Sequence, residues 1–334
     1  MVSVRDVAAE AGVSVGTVSH ALNHPDRVSA DNLARVQAAI ERLGFVRNEG
    51  ARQLRAGRSR SLGLVVLDAG NPFFAEVARG AELAAADAGL TVLVGNSVED
   101  PTRESAYLDL FDEQRVSGVL ITPTTDDPTR LQRLQSRGIP VVLVDRELAD
   151  SGAPGFSSVA VNDTLGGDLA AGHLLSRGRR RLAFIGGPLS LPQVSHRLEG
   201  ARAAVARHPE ATIEVIERAA LTVLEGRAAA ESLLTRAPER RPDALFCAND
   251  LLAVGALQAL VMGGGVRVPD DLALVGYDDI DFAAATVVPL TSVRQPAREI
   301  GRSAVELLVR QLADPQSGPQ VVRFDPELVV RESS

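Results

Sequence analysis

The chain has 334 residues, 45% of them hydrophobic and 23% charged, with a formal net charge of −8. That length is enough for two or three domains with a sizeable core, and no apolar run approaches the ~20 residues of a membrane helix, so a soluble globular protein is expected. All 35 basic residues are arginine, which excludes Schiff-base and Walker-type lysine chemistry. The single cysteine, Cys247, lies in the apolar run Ala-Leu-Phe-Cys-Ala, where it reads as a buried hydrophobe without a disulfide partner. The N-terminus, MVSVRDVAAE, carries Asp6 and Glu10 and no long apolar stretch, so it is neither a signal nor a transit peptide, and a cytoplasmic location is expected.

Charge is unevenly spread. Residues 1–60 hold nine arginines against six acids, a net of +3, which leaves −11 for the remainder. A basic head on an acidic body points to a head that meets a polyanion. Within that head, Ser3 precedes Val4, Val7, Ala8 and Ala11 at helical spacing, and Asp6 completes a capping box, so a helix is predicted over 4–11. Gly12 supplies a positive-φ turn, Val13 plugs into the core, and Ser14 caps a second helix over 15–22 with Val18, Ala21 and Leu22 inward. This is a helix-turn-helix pattern.

The second helix turns Val15, Gly16, Thr17, Ser19 and His20 outward. Short side chains with few donors suit a helix lying in a major groove about 12 Å wide: a valine for a thymine methyl, hydroxyls for phosphate or a base edge, a histidine for a guanine acceptor. A small polar helix in a structural bundle is the alternative. His20 and His24 have the spacing of a metal pair, but with no third ligand nearby no metal is expected.

The stretch VSVRDVAAEAGVSVGTVSHALNHPDRVSADNLARVQAAIERLGFVRN resembles the DNA-binding headpiece of the LacI/GalR family of bacterial repressors. A third helix follows, with Ser29 as cap, Leu33, Val36, Ile40 and Leu43 as its apolar stripe and Gly44 as its end. The resemblance adds Ser3, Ser14, Asn23 and Arg27 to the DNA-contacting set. NEGARQLRAGRSRSLG then matches the family's hinge, which implies a short helix on operator DNA with Leu54 wedged into the minor groove, Ala51 beside it, and Arg52 and Arg55 at phosphates. Arg47 stands where the family commonly has proline, which should loosen entry to the hinge.

From Ser61 onward, short apolar strands alternate with amphipathic helices. Strands are predicted at 61–68, 91–97, 118–124 and 140–146, and a second set opens at 157–163, followed by 181–187, 213–219, 243–250 and 272–279. Each set reads as a parallel sheet with crossover helices, giving two Rossmann-like halves. Ligands of such sheets sit beyond the carboxyl ends of the strands, where this chain has Asn71 with Phe73, Asp145, Asn249 with Asp250, and Asp278 with Asp279. No Gly-x-Gly-x-x-Gly follows the first strand, no Gly-x-Ser-x-Gly elbow occurs, and His173, His196 and His208 are scattered, so neither a dinucleotide site nor a hydrolase is indicated.

The resemblance extends over the body through NPFF (71–74), HRLEGAR (196–202), FCANDLLAVGALQAL (246–260), VGYDDIDFA (275–283) and PLTSVRQP (289–296). It implies an all-α headpiece (1–47), a hinge and linker (48–60), and a two-lobed body (61–334) with the α/β fold of periplasmic sugar-binding proteins. The first lobe is expected over about 61–160 and 290–325, the second over about 161–289. It implies an effector site of Asn71, Phe73, Asp145, Arg197, Leu221, Asn249 and Asp278, a homodimer on palindromic operator DNA, and no cofactor or membrane. A salt bridge is the structural alternative for Arg197 with Asp278. Purine-binding relatives carry Arg and Thr near Leu191 and Gln193, which disfavours a purine; a sugar or sugar phosphate is expected. The competing function class is a solute receptor or a carbohydrate-active enzyme on the same fold, which would lack the helix-turn-helix.

Overall fold

Ser3 opens the first helix, α1 (Val4–Ala11), through both halves of a capping box: Asp6 N donates to Ser3 Oγ at 3.4 Å and Ser3 N to Asp6 Oδ2 at 2.8 Å. The backbone and hydroxyl donors of Ser3 hold the Asp6 carboxyl below its ordinary range. Gly12 takes φ 62° and turns the chain into α2 (Val15–Asn23), where Thr17 N donates to Ser14 Oγ at 3.0 Å. α3 (Ala30–Leu43) starts at Ser29 and ends at Gly44, which has φ 61°. Val7, Ala8, Ala11, Val18, Ala21, Val36, Ala39 and Phe45 form the core of these helices, with Val13, Leu22, Leu33, Ile40 and Leu43 around it.

The computed structural model describes residues 2–45, 59–146, 155–263 and 265–334. The chain divides into two compact units, residues 1–58 and 59–334. In the second unit the strands are β1 (Ser61–Val66), β2 (Thr91–Asn96), β3 (Gly118–Ile121), β4 (Val141–Val144), β5 (Ser157–Val161), β6 (Arg181–Gly186), β7 (Thr212–Glu217), β8 (Ala244–Cys247), β9 (Ala273–Asp278), β10 (Thr291–Arg294), β11 (Val321–Phe324) and β12 (Glu327–Val329). The first sheet has the order β11-β5-β4-β3-β1-β2, and the second β12-β10-β9-β8-β6-β7. Among the described residues every pairing is parallel except that of β10 with β12.

Alternation along the strands covers both faces of the first sheet. Leu62, Leu64 and Val66 enter one core with Val142 and Val144, whereas Val65 enters another with Val119, Ile121, Val141 and Leu143. The helices between β1 and β4 are α4 (Pro72–Asp87), α5 (Pro101–Glu113) and α6 (Thr129–Ser136). The second half adds α7 (Asp163–Ser176), α8 (Pro192–Ala206), α9 (Val223–Leu234), α10 (Asp250–Gly263) and α11 (Ala297–Ala313). α11 packs on α4 so closely that a Cβ on Gly80 would stand 2.1 Å from the Arg298 carbonyl oxygen.

Two expectations are corrected here. Ser157–Val161 does not open the second set: it pairs with Val142–Val144 and with Val321–Phe324 in the first sheet. Thr291–Arg294, expected in the first lobe, pairs with Val275–Asp278 in the second sheet. A short, fully buried run reads alike in either sheet, because its partner is chosen by tertiary contacts that local pattern does not carry. The chain therefore crosses between sheets three times: after β5, after β10 and after β11. The first and third crossings are joined, since Asn162 N donates to Phe324 O at 2.9 Å and Asn162 Nδ2 to Asp325 Oδ1 at 3.3 Å.

Candidate functional site

In the headpiece, the capping geometry sets what α2 presents. Val15, Gly16 and His20 are exposed, while Thr17 and Ser19 are half-buried. Ser14 Oγ and Thr17 Oγ1 share a hydrogen bond of 2.9 Å, and Asn23 Nδ2 donates to Ser19 O at 2.8 Å, so these polar groups are held along the helix. Ser3 and Arg27 are also exposed. A Cβ on Gly16 would meet only Ser14 Oγ, at 3.6 Å, so packing inside the unit does not require glycine there. Ala51, Arg52, Leu54 and Arg55, together with Arg47, lie outside the described residues.

In the body, Asn71, Phe73, Asp145, Arg197, Leu221, Asn249 and Asp278 all line one cleft, with about 470 Å³ of unfilled space including its open mouth. Topology brings them together. Asn71 caps α4 just after β1, accepting from Phe73 N at 3.0 Å; Asp145 follows β4; Asn249 follows β8; and Asp278 ends β9. Arg197 reaches in from α8. Asp145 and Asp278 adopt φ of 54° and 102°, the left-handed region that non-glycine residues seldom occupy, as chains held at functional sites often do.

The polar groups form one buried network. Arg197 Nε donates to Asp163 Oδ1 at 2.7 Å, its Nη1 donates to Ala248 O at 2.7 Å, and its Cζ stands 3.7 Å over the Tyr277 ring. The Arg197–Asp278 ion pair is longer, 3.9 Å. The salt-bridge alternative therefore falls chiefly on Asp163, and Asp278 is left to accept from Asn71 Nδ2 at 3.1 Å and Gln295 Nε2 at 2.8 Å. Gln193 Nε2 donates to Asp145 O at 2.9 Å, while Asp145 Oδ1 and Gln193 Oε1 have no hydrogen-bond partner among the described residues. Burial and the nearby Asp163 charge push the Asp145 carboxyl up to about 8, and burial also raises that of Asp278. Near neutrality Asp145 is thus largely protonated and able to donate.

Sequence reasoning missed Asp163, Gln295, and Gln193 as a working part of the cleft. Gln193 was noted only as a point of difference from purine-binding relatives. Asp163 sits at the first residue of α7, a position normally read as helix-end charge, and Gln295 lies on a crossing between sheets that the sequence assigned to the wrong lobe. The acid Asp250 proves structural: it is fully buried, accepting from Ser292 Oγ at 2.7 Å and Ile280 N at 2.9 Å.

Residues 3–48 match the family described as bacterial regulatory proteins, lacI family, and residues 171–334 match the periplasmic binding protein-like domain. A ribose operon repressor of Escherichia coli (strain K12) is 34% identical over the whole of both chains. The chain belongs to the LacI family. It is a DNA-binding repressor controlled by a small ligand, with a headpiece and a periplasmic-binding-protein-like body. The solved complex of the transcriptional regulator CelR with cellobiose is 32% identical, covers 100% of both chains and superposes with a TM-score of 0.73. The lac repressor dimer bound to operator and the anti-inducer ONPF is 28% identical, covers 99% of this chain and 98% of that one, and gives a TM-score of 0.82. These relatives are transcriptional regulators rather than enzymes, and no helix among the described residues is long and apolar enough to cross a membrane.

Proposed function

We propose that this LacI-family repressor is a cytoplasmic, non-catalytic homodimer that binds palindromic operator DNA and changes its grip when a sugar or sugar derivative occupies the cleft of its body. In this reading Val15, Gly16, Thr17, Ser19 and His20 meet the major groove, and Ser3, Ser14, Asn23 and Arg27 support them. Arg52 and Arg55 hold phosphates, and Leu54, beside Ala51, wedges the minor groove. Arg197, Asn249, Asp278, Asp145 and Asn71 bind hydroxyls, and Phe73 and Leu221 cover the apolar faces of the ring.

The observation that carries the ligand reading is that residues of both lobes close on one cleft: Asn71 and Phe73 from the first, Arg197 and Asp278 from the second. A ligand touching both lobes favours one inter-lobe angle, and only such a difference in affinity shifts the equilibrium. A relative that regulates a ribose operon and another solved with cellobiose support a sugar. Selecting binding sites from random DNA with the purified protein, then titrating the winning site against a panel of sugars and purine bases, tests this. A two-fold symmetric site whose occupancy changes with a sugar is expected; a site lacking that symmetry, or a response confined to purines, contradicts it.

A further inference from the structure

We propose that Asp279, held between Arg294 and Arg331, is a positioning residue: it fixes the direction in which Asp278 faces the first lobe, and with it the bridge between the lobes that an effector has to use or displace. The inference rests on the reading of Asp278 as an effector contact. Its own geometry lies behind the cleft, in three residues that are not among the cleft's lining.

β9 runs out into two consecutive left-handed residues, Asp278 at φ 102° and Asp279 at φ 53°. Aspartate enters that region more readily than most residues, but two in a row persist only where the surroundings hold them. Asp278 accepts from Asn71 Nδ2 of the first lobe and from Gln295 Nε2. The Asp279 side chain is 4% exposed, and each of its oxygens takes a guanidinium: Oδ2 accepts from Arg294 Nε at 2.7 Å and Oδ1 from Arg331 Nη1 at 2.6 Å. The backbone is pinned as well. Asp279 N donates to Ser292 Oγ at 3.0 Å, and Ile280 N to Asp250 Oδ2 at 2.9 Å.

The two arginines stand where crossings join the second lobe. Arg294 closes β10, immediately before Gln295 and Pro296 lead the chain to α11, and its Nη1 donates at 2.8 Å to Glu327 Oε1 on β12, the first strand after the third crossing. In the ladder Arg294 lies opposite both Asp278 and Glu327. Arg331 follows β12, and the Nη1 that meets Asp279 also donates to Leu290 O at 2.7 Å, just before β10. Asp279 therefore ties the end of β9 to the roots of the second and third crossings. A rotation of the lobes that moves those crossings is felt at Asp278 through this clamp. Surface ion pairs contribute little, but a carboxylate shut away from water, with both oxygens paired to cations, is costly to break from one side.

The test is a double-mutant cycle on the full chain, read by urea unfolding at one fixed protein concentration, and it needs no ligand. Asn71→Ser removes the bridge to Asp278 while keeping the cap, and should lower the folding constant of the wild type about fivefold. If Asp279 only stabilised its own lobe, the same factor would appear in Asp279→Asn, a substitution that removes the charge but keeps a residue tolerant of positive φ. The expected factor in that background is instead below about twofold. Arg331→Met should act as Asp279→Asn does, and Arg331→Lys, which keeps a charge there, should lie between it and the wild type. Should Asp279→Asn fail to fold, Arg294→Gln, on the more exposed side of the clamp, carries the same cycle. Hydrogen exchange supplies a second reading. The amide of Phe73, which donates to Asn71 Oδ1, should lose protection in the clamp variants although it lies in the other lobe. An undiminished factor, or unchanged exchange at Phe73, overturns the inference and leaves the cleft as the effector site. A cost-free Asn71→Ser in the wild type overturns it too, since the clamp would then have no bridge to position.

Discussion

Asn71 Nδ2 donates to Asp278 Oδ2 at 3.1 Å, joining the cap of α4 in the first lobe to the end of β9 in the second. The same Asn71 uses its Oδ1 to accept from Phe73 N, so one side chain both starts a helix and bridges the cleft. Asn71→Ala should lower stability by about 1–3 kcal/mol, because it removes a cap and leaves a buried acceptor short of a donor. Asn71→Ser keeps the capping oxygen but cannot reach Asp278, so the difference between the two variants in urea unfolding reports the cap, and the residual loss in Asn71→Ser reports the bridge. If Asn71→Ser unfolds like the wild type, the bridge contributes nothing.

Arg197 is buried against Asp163, and breaking such a pair from one side leaves an uncompensated charge. Arg197→Met should cost about 3–5 kcal/mol, and adding Asp163→Asn should recover part of the loss by removing the stranded carboxylate. Denaturation of the two single variants and the double variant measures the coupling. Purely additive losses would contradict the paired description.

Asp145 gives a pH dependence of unusual sign. Its folded value is raised to about 8 from an ordinary 3.8, so between these limits the native state holds a proton that the unfolded chain has released. Stability therefore falls as pH rises across that interval, by at most about 1.4 kcal/mol per pH unit, and the effect levels off above pH 8. In urea unfolding at pH 5, 6, 7 and 8, Asp145→Asn should decline less steeply than wild type. Parallel declines would show that Asp145 ionises normally.

In the DNA-facing half, His20 is the exposed donor with reach on α2. His20→Ala should cost about 1–3 kcal/mol at one base position and relax the preference there, whereas Arg52→Ala should weaken all sites about equally and flatten the salt dependence. Site selection with each variant distinguishes them; an unchanged consensus for His20→Ala contradicts the docking. Leu54→Ala should reduce operator bending in a gel-phasing assay while leaving thermal stability intact.

The parts of this molecule that were legible in the sequence are those set by local chemistry. Ser3 with Asp6, Gly12, Ser14, Ser29 and Gly44 marked the three headpiece helices through capping and positive φ, which depend on neighbours a few residues away. The nine expected strands of the body were legible for the same reason, and their carboxyl ends located Asn71, Asp145, Asn249 and Asp278. Strands β10 (Thr-Ser-Val-Arg), β11 (Val-Val-Arg-Phe) and β12 (Glu-Leu-Val) are about as short as β3, β4 and β8 but break their apolar runs with polar residues, so no strand pattern shows. The sheet joined by Ser157–Val161 and the partners of Asp163, Gln193 and Gln295 depend on where distant segments cross. Arg197 illustrates the boundary: its motif drew attention to it, but that its short bond goes to Asp163 rather than Asp278 is a matter of tertiary distance.

The central claim is that a ligand in the cleft and DNA at the headpiece are coupled through one protein. Fluorescence anisotropy of labelled operator, with and without the sugar selected from the panel, tests it most directly when wild type and Asp278→Ala are titrated side by side. Wild-type operator affinity should change about 5- to 150-fold with sugar, the usual range of allosteric coupling, and the affinity for sugar should change by the same factor when operator is present. Asp278→Ala should still bind operator and show no change with sugar. A variant that responds as wild type does, or a wild type whose operator affinity is indifferent to a sugar bound in the cleft, would contradict the account.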